Sequence, residues 1–258
     1  MSDLAKQLVI SLFAAHVVGD FILQSEEDVA RKANIRVLLI HSAKVALLSY
    51  LSIGLWKTWE IPVVIFLSHS IIDFIKGKMS RKDLNVLSID QLAHISVIFA
   101  ISVVITSIDR VSWVPFWETQ FGSAYYHLLV ITSGVIVTVF AGAIIVGFAV
   151  EPFLDQLKST VQSFSASGGN LNSISSRGFE NGGKVIGQLE RALIFVLVLV
   201  DQPTAIGFLI AAKSIFRFGE IRERANRMEA EYIIIGTFMS FLFGMIMSYL
   251  TRYVLDFI

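Results

Sequence analysis

The sequence contains no cysteine. Disulfides, thiolate metal sites, iron–sulfur clusters and cysteine nucleophiles are therefore excluded, and any metal ligand must come from His, Asp, Glu or the backbone. Charge is also scarce, because only 16% of the 258 residues are Asp, Glu, Lys or Arg, and the formal net charge is zero. A chain without excess charge has no bulk electrostatic attraction to nucleic acid, so no nucleic-acid partner is expected.

Long apolar runs account for much of the remaining sequence. Hydrophobic residues make up 55% of the chain and the mean hydropathy is +0.70, a composition typical of a polytopic membrane protein with the lipid bilayer as its partner. A window of about 20 residues, the length that crosses the hydrocarbon of a bilayer, predicts an all-α bundle of about eight transmembrane helices. Their approximate ranges are 4–23, 35–56, 60–77, 88–109, 124–151, 184–200, 204–218 and 231–255.

Composition divides the chain into four predicted segments. Residues 1–110 hold the first four helices, and residues 111–158 hold the fifth helix with its flanks, which include the aromatic stretch VSWVPFWETQFG typical of a membrane interface. Residues 159–183 are rich in Ser, Gly and Asn and predict a flexible loop, since such a segment cannot bury a core. Residues 184–258 hold the C-terminal helices, which carry buried charges.

Basic residues predict the orientation of these helices. Lys and Arg concentrate in the loops after the first, third, fifth and seventh predicted helices. Because short basic loops are retained in the cytoplasm, these loops are expected to face the cytoplasm and both termini to lie outside it.

Ionisable residues recur at one depth of the first four helices. HVVGDFI places a His and an Asp four residues apart, on one helix face, and the same spacing recurs in LSHSIIDFIKGK and, reversed, in SIDQLAHIS. A further His lies at the corresponding depth in LLIHSAKVALL. The histidines lie roughly 10 Å inside the predicted cytoplasmic boundary by the helical rise. We call these residues the His/Asp cluster: His16, Asp20, His41, His69, Asp73, Asp90 and His94.

The spacing also predicts an internal repeat. HVVGDFI at 16–22 and HSIIDFI at 69–75 are offset by 53 residues (69 − 16), and His41 and His94 are offset by the same 53 (94 − 41). The second hairpin is thus expected to duplicate the first. Packed as a four-helix bundle, the two copies would bring the His/Asp cluster to one depth around a shared axis.

Three interpretations of the cluster stay open. Neutral imidazole and carboxylate form a ligand set suited to zinc, the first candidate, or to Mn or Fe. The cluster could equally relay protons or ions, or consist of interhelical hydrogen-bond pairs. In the metal interpretation the ligands come from His16, His41, His69, His94, Asp20 and Asp73, and the catalytic carboxylates from Asp20, Asp73 and Asp90. Since these exceed the four ligands of zinc, the surplus would orient ligands, act as a base or bind a second ion.

A second candidate site lies among the C-terminal charges. Lys213 and Arg217 share a helix face, and Glu190 and Arg191 lie about two turns into the sixth predicted helix. Lys213, Arg217 and Glu190 are predicted to bind an anionic headgroup or a phosphorylated substrate, through the bidentate geometry of Arg and the point charge of Lys. The alternative is that these side chains only snorkel and form salt bridges.

These motifs resemble a known family. The HxxxDFxLQ of the first helix, the lone His41, the HxxxD with following lysines of the third helix and the DQxxH of the fourth are similar to bacterial integral membrane proteins catalogued as a domain of unknown function, number 3307. GGKVIGQLERALIF, GFLIAAKSIFRFGEI and AEYIIIGTF resemble the C-terminal part of many members. The resemblance implies a bacterial inner-membrane protein. The His/Asp pattern is also loosely similar to bacterial membrane-bound metal-dependent hydrolases.

Two functional hypotheses of different classes follow, with a third beside them. The first is a metal-dependent hydrolase that acts at the cytoplasmic face on a membrane-associated or phosphorylated substrate. The second is a transporter or channel for metal ions or protons, and the third is a non-enzymatic membrane interaction protein. The number of aspartates and their shallow cytoplasmic position favour the hydrolase. The sequence leaves the oligomeric state open.

Overall fold

The computed structural model describes residues 3–31, 34–79, 83–107, 114–166, 181–218 and 227–258, and every regular element in these ranges is a helix. The predicted all-α class is therefore confirmed. The bounds are α1 Asp3–Phe21, α2 Glu26–Ala30, α3 Ile35–Ile53, α4 Glu60–Lys78, α5 Leu84–Ser107, α6 Phe116–Phe121, α7 Ser123–Ile136, a π-helix Val137–Ala141, α8 Gly142–Ala166, α9 Gly182–Leu199, α10 Ala205–Phe218 and α11 Arg227–Phe257.

Five helical stretches are long and apolar enough to cross a membrane. They are Asp3–Phe21, Ile35–Ile53, Leu84–Ser107, Ser123–Thr160 and Ala230–Phe257. The helices α4 and α9 are comparable in length to the first two but are not among these five stretches, and Ala205–Ile215 is a shorter apolar helix. The fold is thus compatible with a membrane protein, while the count of eight spans stays a prediction.

The structure corrects the start of the predicted loop at 159–183. The helix α8 continues to Ala166, because Ser159 and Thr160 donate their hydroxyls to the carbonyl of Gln156 and so satisfy their polar groups within the helix. Residues 167–180 of that loop lie outside the described residues. The other predicted segment boundaries stay predictions.

The sequence analysis did not anticipate the two short helices α2 and α6. The helix α2 begins at a capping box, in which the Ser25 hydroxyl accepts from the backbone N–H of Asp28 and the Asp28 carboxylate accepts from the backbone N–H of Ser25. These two hydrogen bonds lower the pKa of the Asp28 carboxyl. The link after α1 therefore holds a turn of helix.

Contacts divide the chain into two compact units, Met1–Ile136 with Tyr253–Ile258 and Val137–Arg252. In the first unit, α1 packs against α3, α5 and α7, and α4 packs against α3 and α5. The buried residues of α4 recur every four positions at 61, 65, 69 and 73, and those of α5 at 90, 94, 98 and 102. Each helix thus buries one stripe that is apolar at one end and carries His and Asp at the other.

The apolar ends of these stripes form the core of the first unit. The core residues are Leu8, Leu12, Val45, Ala46, Ile53, Leu55, Ile61, Ile65 and Ile98. The helices α1 and α3 approach closely at Gly19, where a Cβ atom would lie 2.6 Å from Cγ2 of Val45. This close approach brings the polar end of α1 close to α3.

The second unit has a core of Ile194, Val198, Ile206 and Phe241. Beside it, the buried Arg191 donates from Nε to the carbonyl of Thr138 at 2.8 Å and from Nη2 to the carbonyl of Val139 at 3.0 Å. Both carbonyls belong to the π-helix, whose wider turn departs from the regular α-helical hydrogen-bond ladder. The guanidinium therefore donates hydrogen bonds to the irregular backbone of this unit.

Candidate metal centre

Four helices bring the histidines of the cluster together at one level. The ring centroid of His69 lies 4.9 Å from that of His41, 4.3 Å from that of His94 and 5.8 Å from that of His16. All four rings are buried, with exposed fractions of 2–4%. The spacing of four along each helix places these side chains on its buried stripe, so the predicted convergence of the histidines is observed.

Two histidines and two aspartates of this level form a compact ligand set, which we call the quartet: His41, His69, Asp20 and Asp73. The Nε2 atoms of His41 and His69 lie 3.0 Å apart. Oδ1 of Asp20 lies 3.3 Å from the first nitrogen and 3.4 Å from the second. Oδ2 of Asp73 lies 3.6 Å from both.

Three residues of the quartet, Asp20, His41 and His69, offer ligand atoms that lie within 4.8 Å of one another, a group that does not include Asp73. Bonds of about 2.0–2.2 Å at tetrahedral angles place neighbouring ligand atoms roughly 3.3–3.6 Å apart, against 3.0–3.4 Å among these three residues. A hydrogen bond between the two Nε2 atoms would satisfy only those two nitrogens. Oδ1 of Asp20 is buried and has no hydrogen-bond partner within the described residues, an arrangement that a cation would complete.

Asp90 and His94 extend the site on α5. Oδ2 of Asp90 accepts from Nζ of Lys76 at 2.5 Å and from Nε2 of Gln91 at 3.1 Å. Its other oxygen, Oδ1, lies 3.7 Å from Nε2 of His94. Asp73, Asp90 and His94 each offer a ligand atom within 4.8 Å of the others.

The remaining predicted ligand, His16, lies at the edge of the quartet. Its Nε2 is 3.2 Å from Oε1 of Gln91, and its Nδ1 is 3.9 Å from Oδ1 of Asp20. With His69 and His94 it forms a further group whose ligand atoms lie within 4.8 Å of one another. His16 is thus within the cluster, but its closest polar contact is to an amide.

Lys76 and Gln91 belong to the site although the sequence analysis did not select them. Gln91 contacts both His16 and Asp90, and Lys76 contacts Asp90. The motifs DQxxH and HxxxD with following lysines contain both residues, so the signal was present in the sequence. The sequence alone does not show these contacts, because they join side chains of three different helices, α1, α4 and α5.

In the second unit, Lys213 and Glu190 lie together as a salt bridge. Nζ of Lys213 is 2.6 Å from each carboxylate oxygen of Glu190. Both residues line a groove of about 490 Å³ that also includes Lys184 and Tyr232. The side chain of Arg217 lies outside the described residues. The anionic headgroup site predicted for Lys213, Arg217 and Glu190 therefore stays a prediction, with one of its cations paired to its acid.

Fold and site together define the class of protein: a helical protein with several helices apolar enough to span a membrane and a buried His/Asp cluster able to hold a metal ion. Residues 8–121 match the model of a family described as a protein of unknown function (DUF3307). The matched segment contains the whole His/Asp cluster. The resemblance beyond residue 121 and the bacterial origin stay predictions. No curated protein and no solved structure matches the chain significantly.

Proposed function

We propose that this protein is a membrane-embedded, metal-dependent hydrolase whose metal ion is bound by the quartet. The observation that carries the proposal is the separation of 3.0–3.4 Å among the ligand atoms of His41, His69 and Asp20, with Oδ2 of Asp73 3.6 Å from both histidine nitrogens. Two imidazoles and two carboxylates suit zinc first, and Mn or Fe as alternatives. The six metal ligands predicted from the sequence are thereby reduced to four.

A divalent ion also accounts for the charge of the quartet. Asp20 and Asp73 have side-chain exposures of only 7% and 0%. Buried ionised carboxylates are costly unless a cation pairs with them. A metal ion with two positive charges would offset both.

The two carboxylates of the quartet are suited to different roles. A metal ion in such a site lowers the pKa of a bound water to about 7. Asp73 is fully buried and is assigned as a permanent ligand, whereas Asp20 is the more exposed of the two. Asp20 is therefore assigned as the group that yields its position to water and accepts the proton.

The position of the cluster supports a substrate that approaches from the cytoplasm. Lys76 and Lys78 lie in the last turn of α4, next to the cluster, and Lys76 is 27% exposed. Basic helix ends are retained on the cytoplasmic side of an inner membrane. Lys76 would meet the negative charge of a membrane-associated or phosphorylated substrate.

Transport of metal ions or protons is a second candidate, favoured by one observation. A cavity of about 10 Å³, room for about one water molecule, lies against His16, His69 and His94 and is also lined by Ser49 and Ser68. Ile65 and Ile98 close the same cavity one helical turn away from the histidines, and they belong to the apolar core. Packed apolar side chains on that side of the cluster would oppose the passage of an ion, and hydrolysis is therefore the first proposal.

Metal analysis of the detergent-purified full chain tests the proposal. After equilibration with zinc and removal of unbound ions, the wild type is expected to retain at least one ion per chain. His41→Ala and His69→Ala should lose the ion of the quartet. His127→Ala is the matched control, because His127 is bonded to the Ser123 carbonyl of its own helix. A wild type without metal would remove the proposal.

Activity separates hydrolysis from transport. The zinc-loaded protein is expected to hydrolyse p-nitrophenyl phosphate or p-nitrophenyl acetate, and Asp20→Asn should abolish that turnover while metal is retained. Proteoliposomes carrying the wild type measure zinc and proton flux in parallel. Flux without hydrolysis would replace the hydrolase by the transporter, and neither activity in a metal-loaded protein would favour a non-enzymatic role.

A further inference from the structure

We infer that Asp73, Asp90 and His94 bind a second divalent metal ion beside the quartet, with the Asp73 carboxylate shared between the two ions. This inference rests on the proposed metal centre and makes it a two-metal site. The ligand atoms of these three residues lie within 4.8 Å of one another.

Two facing atoms point to the second ion. Oδ1 of Asp90 and Nε2 of His94 are both buried, and neither has a hydrogen-bond partner within the described part of the chain. They lie 3.7 Å apart, which is too long for a hydrogen bond between them. Buried polar atoms in native proteins are ordinarily satisfied. A metal ion that accepts a lone pair from each would satisfy both.

The surroundings of Asp90 hold its carboxylate in the orientation a ligand needs. Lys76 and Gln91 both donate to Oδ2, which leaves Oδ1 turned towards His94. Such outer contacts orient the ligands of metal sites and are part of their affinity. Asp90 and His94 are also four residues apart on α5, so the helix itself sets their spacing.

Asp73 connects this second set to the quartet. Its Oδ2 lies 3.6 Å from the Nε2 atoms of His41 and His69, and the residue also belongs to the group with Asp90 and His94. A carboxylate has two oxygens and can bind one ion with each. In two-metal enzymes the ions are about 3.5–4 Å apart, a distance that a bridging carboxylate spans.

A two-metal centre suits a phosphate ester as the substrate. Two adjacent ions stabilise both the attacking and the leaving oxygen of a displacement at phosphorus. With both ions held by these residues, Asp20 would accept one proton from the attacking water, whose oxygen would form the new bond to phosphorus. The bond from phosphorus to the leaving oxygen breaks with its electron pair, and that oxygen takes up the proton held by Asp20. Lys76, at the exposed side of Asp90, adds positive charge for the phosphoryl oxygens.

Counting zinc ions per chain tests the second site. The wild type and His127→Ala are expected to bind two ions, whereas His94→Ala and Asp90→Asn should each bind one. A wild type with one ion, unchanged in His94→Ala, would overturn the second site and leave the quartet intact. A wild type with no ion would instead overturn the proposed metal centre itself.

Two measurements on the wild type do not depend on whether the variants fold. After exchange into Mn²⁺, two ions sharing a carboxylate should give an exchange-coupled electron paramagnetic resonance spectrum, whereas the spectrum of isolated ions would contradict the inference. The zinc-loaded wild type should hydrolyse p-nitrophenyl phosphate in preference to p-nitrophenyl acetate. Turnover of the acetate alone would contradict the phosphate-ester substrate.

Discussion

Nε2 of His41 and Nε2 of His69 lie 3.0 Å apart, although 28 positions separate the two residues in the chain. A hydrogen bond between two imidazole nitrogens requires one of them to be unprotonated, so at least one lone pair is directed into the centre of the bundle. Oδ1 of Asp20 approaches both nitrogens. The helices α1, α3 and α4 thus direct ligand atoms towards one point.

Acid should release the metal ion of the quartet. Imidazole and carboxylate must be deprotonated to coordinate, so protons compete with the metal as the pH falls. Dialysis of the loaded protein from about pH 8 to about pH 5 is expected to lower its zinc content, because protons compete more strongly for the ligand atoms at the lower pH. Metal analysis measures the loss, and circular dichroism checks that the helices persist. Retention of zinc at about pH 5 would contradict the assignment of histidine ligands.

Gly19→Ala should destabilise the first unit. The added Cβ would lie 2.6 Å from Cγ2 of the buried Val45, so α1 and α3 must separate, at a cost of about 1–3 kcal/mol. Gly77→Ala is the control, since a Cβ there meets nothing within 4 Å and alanine favours helix by up to about 1 kcal/mol. Thermal unfolding in detergent compares the two. Equal shifts would show that the close approach at Gly19 does not limit stability.

Arg191→Leu should destabilise the second unit. The guanidinium donates to the carbonyls of Thr138 and Val139 and to the hydroxyl of Ser240, and a buried carbonyl without a donor costs about 1–3 kcal/mol. Arg191→Lys should recover only part of the loss, because one ammonium cannot reproduce the guanidinium fork. Chemical denaturation measures the free energy of unfolding.

Asp201→Asn is the control for Arg191. It removes an exposed partner of Arg252 in the same unit, and surface pairs of this kind contribute little. Asparagine also tolerates the positive φ of 61° at this position. If Asp201→Asn lost as much free energy of unfolding as Arg191→Leu, chemical denaturation would not distinguish the buried contacts of Arg191 from a surface pair.

Glu190 and Lys213 should be coupled in stability. Their side chains are 10% and 19% exposed, so Glu190→Gln or Lys213→Met alone leaves one charge poorly compensated. The cost of each should be less than the roughly 3–5 kcal/mol of a fully buried pair. The double variant is expected to recover much of it, as a double-mutant cycle on unfolding free energies would reveal. Additive losses would indicate that the two side chains act separately.

The sequence predicts the members of the site better than their contacts. The spacing of four in His16 and Asp20 correctly indicates that both share a buried face, yet the closer partners of Asp20 are His41 and His69, at 3.3 and 3.4 Å, rather than His16 at 3.9 Å. Distances across helices depend on how far each helix is rotated and raised against its neighbours. That arrangement is set by packing contacts such as Gly19 against Val45, which no local pattern encodes.

The same limit applies to the second unit. Helical periodicity is visible in the sequence and places Lys213 and Arg217 on one helix face, where an anion site with Glu190 was predicted. Only the tertiary structure shows that Lys213 pairs with Glu190 of another helix. It also directs Arg191 to the carbonyls of a π-helix, an irregularity for which the sequence analysis had no signal.

The sequence by itself determined the helical class, the apolar stretches that suit a membrane and the residues that share each buried stripe. These properties follow from composition and from the period of the helix, which act over a few turns. Tertiary structure alone decided which ligand atoms meet and that Lys76 and Gln91 contact Asp90. It also decided that Asp73 lies close both to His41 and His69 and to Asp90 and His94. Such contacts depend on distances of a few tenths of an ångström between helices far apart in the chain, and close packing settles those distances for the bundle as a whole.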